Sequence, residues 1–432
     1  MDKFVIEGGS MLYGTVRISG AKNSALPAMA AALLTNDDVH LGRVPCLADV
    51  GTMVELLEKM GVRTDGYEGG RRPAEGGGSF SKSITINASG INTHEAPYEL
   101  VRTMRASVLV LGPLVARYGS ARVSIPGGCA IGSRPIDLHL KGLTALGARV
   151  SMDHGYIDVT AQRLKGAKIA FDTVTVTGTE NLIMAASLAQ GTTVIRNAAR
   201  EPEVASLADQ LVRMGAKIHG AGADTVTIDG VDRLHGCAVD IIPDRIEAGT
   251  YMIAAAAAGG EVEIADCKPG HVRALLARMQ EAGIDYTETG DSVVVKREKT
   301  ARIKSLNVKT MPYPDFPTDL QAQLMVLMTQ GDDTSVITET IFENRFMHVP
   351  ELRRMGADIK TEGNVAIVKG GTRLMGAQIM ATDLRASASL VIAGLISDGT
   401  TEVSRIYHLD RGYEFMENKL SGIGAKLKRT RT

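Results

Sequence analysis

The chain has 432 residues, so two or three domains are expected. It carries 48 Lys and Arg against 49 Asp and Glu, a net charge of −1, and this balance argues against a nucleic-acid or polybasic membrane partner. Hydrophobic residues make up 44% of the chain and aromatic residues 4%, with no Trp. The core must therefore be built from Ala, Leu, Val, Ile and Met, which suits helices packed on sheets.

Neither membrane insertion nor secretion is expected. The longest apolar runs, such as Leu26–Leu34 and Met252–Ala258, are shorter than a membrane-spanning helix. Residues Met1–Val5 lack the apolar core of a signal peptide. The scattered cysteines, without a CxxC pair, predict reduced thiols in a cytoplasmic protein. No P-loop, dinucleotide fingerprint or HExxH motif is present, so we expect neither a metal nor a cofactor.

A short tag recurs six times along the chain: a hydrophobic residue or Ala, then Gly, then Ala, Val or Ile. Its glycines are Gly61, Gly147, Gly215, Gly283, Gly356 and Gly424. They are 86, 68, 68, 73 and 68 residues apart. An amphipathic helix precedes each one, for example Val50–Met60 or Val204–Met214. The glycine is therefore predicted to end the helix in the left-handed conformation, before a strand.

A second, almost wholly apolar helix precedes each amphipathic one. These helices are predicted at Asn23–Leu34, Glu99–Leu114, Thr179–Ala189, Arg245–Ala258, Asp319–Met328 and Arg385–Ile396. Helices that are apolar all round should be buried, and helices with a polar face should face solvent. The pattern predicts an α/β fold of six β-α-β-α-β-β units with helices inside and sheets outside. The Gly-rich segment Gly66–Lys82 interrupts the first unit and predicts a flexible surface hairpin without a catalytic role.

The stretch Pro126–Asp137 contains three glycines and two prolines, which exclude a regular helix or a central strand. This loop also carries Cys129, Arg134 and Asp137. The combination of a thiol, a fixed positive charge and a carboxylate indicates a mobile loop that delivers chemistry. The alternative is a Gly-rich surface turn with an inert buried cysteine.

Two helix starts also carry candidate groups. Lys22 and Asn23 stand at the N-terminus of the first apolar helix, where free N–H groups and the helix dipole favour an anion; the alternative is a solvated lysine. In the string Phe316–Gln321, Asp319 is either a base near a substrate hydroxyl or, with Thr318, a candidate helix N-cap.

Four arginines fall in connecting regions of different repeats: Arg134, Arg345, Arg385 and Arg411. Local pairs such as Asp383 with Arg385 and Asp410 with Arg411 would make some of them ordinary salt bridges. If the repeats converge, the arginines and Lys22 would instead form a site for a phosphate- and carboxylate-bearing ligand. A cysteine in such a field would be reactive.

With these motifs the chain resembles the UDP-N-acetylglucosamine 1-carboxyvinyltransferase family of enolpyruvyl transferases. The resemblance covers almost the whole chain apart from Gly66–Lys82. The matching strings are Gly20–Asn23, Thr103–Ser107, Pro126–Asp137, Phe316–Asp319, Glu343–Met347, Ala381–Ser387 and Asp410–Glu414. So many motifs in one order make a chance match very improbable.

The resemblance implies two domains, each a pseudo-threefold set of units, in an inside-out α/β barrel arrangement. Residues 1–20 and 244–432 would form one domain, and 21–243 the other, which carries the Cys129 loop. The active site would lie in the cleft between them. Oligomeric state is left open.

The implied reaction joins phosphoenolpyruvate to the 3-hydroxyl of UDP-N-acetylglucosamine and releases phosphate, the first committed step of peptidoglycan precursor synthesis. The resemblance makes Cys129 the acid on the mobile loop and Asp319 the base, with Lys22 and Arg411 as further catalytic groups. The implied phosphoenolpyruvate contacts are Lys22, Asn23, Arg134, Arg345, Arg385 and Arg411. The implied UDP-sugar contacts are Arg105, Arg134, Pro135, Ile136, Asp137, Leu138, Val174, Thr175, Val176, Asp319 and Ile341.

One departure and two alternatives accompany this resemblance. Thr173 stands where many relatives carry a Lys on the uridine side, which puts that phosphate contact in doubt. The sister reaction on shikimate 3-phosphate shares the fold, but its family lacks the reactive cysteine that Cys129 matches. A catalytically silent UDP-sugar-binding paralogue is the second alternative. The residues that argue against it are the intact Lys22, Cys129, Asp319 and Arg411.

Overall fold

The computed structural model describes residues 2–67, 82–125 and 136–431. The strands within these ranges are β1 (Asp2–Glu7), β2 (Leu12–Arg17), β3 (Val39–Val44), β4 (Arg63–Asp65), β5 (Lys82–Asn87), β6 (Glu95–Ala96), β7 (Ser120–Ser124), β8 (Arg149–Asp153), β9 (Tyr156–Thr160), β10 (Lys168–Ala170), β11 (Thr192–Arg196), β12 (Lys217–His219), β13 (Thr225–Asp229), β14 (Cys237–Asp240), β15 (Gly260–Ala265), β16 (Asp285–Thr289), β17 (Ser292–Arg297), β18 (Val308–Lys309), β19 (Thr334–Thr338), β20 (Ile359–Glu362), β21 (Val365–Lys369), β22 (Gln378–Met380), β23 (Thr400–Ser404) and β24 (Lys426–Arg431).

The α-helices of the same ranges are α1 (Lys22–Ala31), α2 (Ala48–Lys59), α3 (Tyr98–Val101), α4 (Leu111–Tyr118), α5 (Asp137–Ala145), α6 (Val176–Ala186), α7 (Pro202–Arg213), α8 (Arg245–Ala258), α9 (Arg273–Glu281), α10 (Gln321–Met328), α11 (Val349–Arg354), α12 (Leu384–Ile396) and α13 (Met416–Gly422). Short 3₁₀ turns occur at Ala32–Leu34, Arg105–Val110, Pro269–Val272, Thr318–Leu320 and Ile406–Arg411. None of these helices is both long and apolar enough to cross a bilayer.

The described strands form six four-stranded sheets of one design. Each sheet has one parallel pair at its edge and two antiparallel pairs. The strand orders are β14-β3-β5-β4, β6-β7-β9-β8, β10-β11-β13-β12, β16-β17-β15-β2, β18-β19-β21-β20 and β22-β23-β1-β24. Six repeats of one sequence unit therefore produce six repeats of one sheet, and the predicted α/β class is confirmed.

The described residues divide into two compact units. One contains 2–19 and 243–431, and the other contains 20–67, 82–125 and 136–242. In the first unit, β1 pairs with β23 and β24 from the far end of the chain, and β2 pairs with β15. Within that unit the Asp244 N–H donates to the Ser19 carbonyl at 2.9 Å. Residues from both ends of the chain are therefore needed to complete its sheets.

Each unit has its own core of buried helices. In the first unit α8, α10 and α12 pack on one another, and in the second unit α1, α4 and α6 are buried in the same way. Small residues allow the close approach. A Cβ at Gly249 of α8 would lie 2.6 Å from Leu320 Cδ1, and one at Gly112 of α4 would lie 2.3 Å from Asn181 Oδ1. Substituting either glycine would push two packed helices apart.

The predicted helix stops are confirmed and one predicted helix is wrong. All six tag glycines have a positive φ, between 77° and 101°. The single helix predicted at Glu99–Leu114 is instead broken into α3, a 3₁₀ turn and α4. Pro113 favours the break, because it has no N–H to donate and its ring is best tolerated in the first turn of a helix, and α4 begins at Leu111. The insertion at Gly66–Lys82 lies almost entirely outside the described residues.

Candidate active site

Asp319 is held by two buried arginines in the first unit. It lies in the 3₁₀ turn before α10. Arg345 Nη2 donates to its Oδ1 at 2.8 Å, and Arg385 Nε donates to its Oδ2 at 3.2 Å. The arginine side chains are 4% exposed and the aspartate side chain is 26% exposed. These three residues form what we call the acid–arginine cluster. Two buried cations facing one reachable carboxylate suit a further anion.

This arrangement overturns the capping alternative. Neither Thr318 nor Asp319 caps the helix through its side chain. Thr318 Oγ1 donates instead to Glu339 Oε2 at 2.9 Å. The Asp319 carboxylate is oriented by the two guanidinium groups, which arrive from distant segments.

The local salt bridge considered between Asp383 and Arg385 is also wrong. Asp383 caps α12, where its Oδ1 accepts from the N–H of Arg385 at 2.9 Å and of Ala386 at 3.0 Å. Asp410 pairs with Arg429, at 2.5 Å between Oδ1 and Nη2. Arg385 is thereby left to act on Asp319.

A buried polar group supports Arg385 from below. The Tyr413 ring lies 5.3 Å from the Arg385 guanidinium carbon. The Tyr413 hydroxyl hydrogen-bonds Thr250 Oγ1 at 2.9 Å and accepts from Gln323 Nε2 at 3.2 Å. Burial disfavours the charge on Arg385, but Tyr413 and Asp319 outweigh it and raise its pKa above the ordinary value. Arg385 Nη1 has no hydrogen-bond partner within the described ranges, so it can donate to a ligand.

Lys22 is a buried charged residue of the second unit. It opens α1, and its Nζ lies 2.9 Å from Asp49 Oδ2. The two side chains are only 9% and 7% exposed, so the alternative of a solvated lysine is wrong. No side chain caps this helix, whose N-cap position is Ala21. An ammonium group beside a helix N-terminus is suited to an anion.

The residues predicted to contact the nucleotide side occupy two helix starts. Asp137 and Leu138 open α5, after the half-buried Ile136. Thr175 caps α6, since its Oγ1 accepts from the Gly178 N–H at 3.2 Å. Its neighbours Val174 and Val176 are half-buried, and Thr173 is exposed.

Arg105 opens a 3₁₀ turn close to a buried histidine. His139 Nδ1 faces Asn181 Nδ2 at 2.9 Å, and its Nε2 faces Thr177 Oγ1 at 3.2 Å. Burial, helped by Arg105, lowers the pKa of His139 to about 4. The ring is therefore neutral at physiological pH, and its Nδ1 accepts a hydrogen bond from the side-chain amide of Asn181. This bond fixes the orientation of the imidazole ring near Arg105.

The remaining predicted residues lie on three further segments. Arg411 is half-buried at the end of a 3₁₀ turn, and its charge adds to burial in lowering the pKa of His408. Asn23 is half-buried in the first turn of α1. The Ile341 N–H donates to Glu339 Oε1 at 2.8 Å. Cys129, Arg134 and Pro135 lie outside the described residues.

The supporting roles of three residues were not predicted from the sequence. Glu339 is 2% exposed and ties the loop after β19 to Thr310 and Thr318. Asp49, in the first turn of α2, holds Lys22, and Tyr413 lies under Arg385. Asp49 had a signal, an acid at the start of an amphipathic helix. The other two are identified only by contacts between distant segments.

A family model matches nearly the whole sequence of the chain. Residues 6–420 match the model described as EPSP synthase (3-phosphoshikimate 1-carboxyvinyltransferase). Two similar proteins are named UDP-N-acetylglucosamine 1-carboxyvinyltransferase. The one from Geotalea daltonii is 54% identical over 429 residues, which are 99% of each chain. The one from Koribacter versatilis is 56% identical over 430 residues, which are 99% of this chain and 96% of the relative.

The chain belongs to the UDP-N-acetylglucosamine 1-carboxyvinyltransferase family. It is therefore an enolpyruvyl transferase, as the resemblance implied. Among solved structures, the enolpyruvyl transferase NikO from Streptomyces tendae is 26% identical, with a TM-score of 0.86 over 100% of this chain and 99% of that chain. EPSP synthase from Acinetobacter baumannii is 17% identical, with a TM-score of 0.75 over 100% of both chains, and shares the fold.

Proposed function

We propose that the enzyme transfers the enolpyruvyl group of phosphoenolpyruvate to the 3-hydroxyl of UDP-N-acetylglucosamine and releases phosphate. The observation that carries the proposal is the reachable Asp319 carboxylate held between two buried arginines. It combines a group that orients a sugar hydroxyl with cations for an anionic co-substrate. The names of the close relatives support the same acceptor.

The chemistry needs an acid, a base and anion-binding groups. In the addition step, the Cys129 thiol gives a proton to the methylene carbon of phosphoenolpyruvate. The sugar oxygen bonds to the adjacent carbon and loses its proton to Asp319. In the elimination step, the Cys129 thiolate takes a proton back from the methyl group formed in the addition step, and the C–O bond to phosphate breaks. The departing phosphate takes up the proton held by Asp319. Lys22 and Arg411 stabilise the phosphate charge as it leaves.

We take the two compact units as two domains divided near residues 20 and 243, and we carry over the ligand contacts that the resemblance implies. Phosphoenolpyruvate is bound by Lys22, Asn23, Arg134, Arg345, Arg385 and Arg411. The UDP-sugar is bound by Arg105, the segment Arg134–Leu138, the segment Val174–Val176, Asp319 and Ile341. The half-buried Val174 and Val176 offer main-chain groups where Thr173 replaces a lysine.

The biological setting follows from this reaction. A transferase with this product supplies peptidoglycan synthesis, and hence cell wall formation and division, in the cytoplasm. Its partners are the two small-molecule substrates, without nucleic acid. The shikimate 3-phosphate reaction is the second candidate, which the family model's description favours and Cys129 opposes.

Labelling of Cys129 tests the proposal. The parent enzyme should release phosphate from phosphoenolpyruvate and UDP-N-acetylglucosamine, and a small epoxide should abolish this while modifying one thiol. Cys129→Ala should take no label and lose the addition step. Cys267→Ala is the matched control, because burial raises the pKa of that thiol to about 11, and it should label like the parent. Label remaining in Cys129→Ala would contradict the assignment.

A further inference from the structure

Several buried polar atoms without hydrogen-bond partners lie beside the acid–arginine cluster. Within the described ranges they include both ring nitrogens of His348, Thr382 Oγ1, Asp383 Oδ2 and Arg385 Nη1. Native proteins leave few such atoms unpaired, because each one costs free energy on folding. A concentration of them next to reactive groups is typical of a site where pairing changes during function.

His348 and Asp383 flank the two arginines that hold Asp319. His348 is fully buried, lies directly before α11 and is three residues after Arg345. Asp383 lies two residues before Arg385 and caps α12 with one of its two oxygens. A change at either residue therefore reaches the Asp319 carboxylate through one short chain segment.

The charges around His348 keep its ring neutral. Burial is the main cause and lowers the pKa of His348 to about 4, with the Arg345 charge adding to it. Asp383 and the Arg345 main chain act in the opposite direction. On α11 itself, Glu351 Oε2 already accepts from the Met380 N–H at 3.2 Å. A neutral imidazole has one N–H to donate, and among the described residues no donor reaches Asp383 Oδ2.

We propose that His348 is a positioning residue for the carboxyvinyl transfer, whose ring N–H binds Asp383 Oδ2 in the substrate-bound enzyme. This bond would stop the Asp383 carboxylate from rotating and so fix the first turn of α12. Arg385 reaches Asp319 from that turn, so its guanidinium would be aligned for catalysis. The inference rests on the proposed function, but it concerns a residue outside the predicted ligand contacts.

A double-mutant cycle tests this coupling. His348→Phe removes the donor, and Asp383→Ser keeps a capping hydroxyl but removes the second oxygen. We expect each change to lower kcat about tenfold, with KM for both substrates within about twofold. The double variant should be no slower than the slower single variant. His348→Gln, which restores an N–H donor, should recover most of kcat. Val349→Ala, a buried neighbour, should lower Tm and keep kcat.

Two outcomes would overturn the proposal. One is a double variant whose loss is the product of the two single losses. The other comes from the ring-¹⁵N signal of His348, assigned by its absence in His348→Gln. This signal should shift when both substrates are added to the parent but not when they are added to Asp383→Ser, and an unchanged parent signal contradicts the bond even if His348→Phe does not fold. A parent enzyme without turnover on these substrates would refute the proposed function instead.

Discussion

Asp319→Asn is expected to lower kcat with phosphoenolpyruvate and UDP-N-acetylglucosamine by about 10³-fold or more. The variant loses the base and also the anion that neutralises Arg345 and Arg385. Because both guanidinium groups are buried, we also expect a loss of folding free energy on the order of 2–4 kcal/mol. Steady-state kinetics and thermal unfolding measure the two effects on one preparation.

Inorganic phosphate separates the two roles of Asp319. An added anion should bind the two buried arginines that lack their carboxylate in the variant and raise its Tm more than that of the parent, because a ligand of the folded state stabilises it. Phosphate should not restore turnover. Asp315→Asn, an exposed change in the same loop, is the matched control and should resemble the parent. An Asp319→Asn enzyme with near-parent kcat would exclude Asp319 as the base.

Lys22→Met should be the second severe change, with a loss of about 10³-fold in kcat/KM for phosphoenolpyruvate. The substitution removes an ammonium group that we assign to the phosphate. It also leaves the Asp49 carboxylate buried without the lysine, which should cost about 3–5 kcal/mol of stability.

The variant Lys22→Met/Asp49→Leu distinguishes catalysis from folding. Replacing both members of a buried ion pair by apolar side chains is often neutral for stability, so the double variant should unfold close to the parent temperature. Its activity should stay as low as that of Lys22→Met. Lys59→Met, on the exposed end of α2, provides a lysine control without an expected effect. Activity that returns with stability would show that Lys22 is only structural.

Most of the fold could be predicted because it follows from local sequence patterns. Six glycine tags mark six helix ends, and each of them adopts the left-handed conformation. Helices that are apolar on every face, such as α8 and α12, are the buried ones. The break between α3 and α4 could not be predicted from hydrophobicity, because the apolar pattern of Glu99–Leu114 continues across Pro113.

The pairing within the site was less predictable, because it depends on contacts between distant segments. Asp319 binds partners 26 and 66 residues away, whereas sequence spacing favoured local partners for Arg385 and a cap for Asp319. Glu339 looks like an ordinary polar residue in sequence, and only its buried hydrogen bond with Thr318 reveals its role. Asp49 had a weak signal, an acid in the first turn of an amphipathic helix, and its burial against Lys22 reveals the rest. The role of His348 likewise could not be predicted from the sequence. The lack of hydrogen-bond partners for its two ring nitrogens among the described residues is visible only in the packed structure.

Phosphate release shows which acceptor the enzyme uses. The purified enzyme is given phosphoenolpyruvate with UDP-N-acetylglucosamine, with shikimate 3-phosphate, or with neither. We predict rapid phosphate release with UDP-N-acetylglucosamine alone, together with an enolpyruvyl ether product that retains the UDP group. Release with shikimate 3-phosphate and silence with the UDP-sugar would contradict the account.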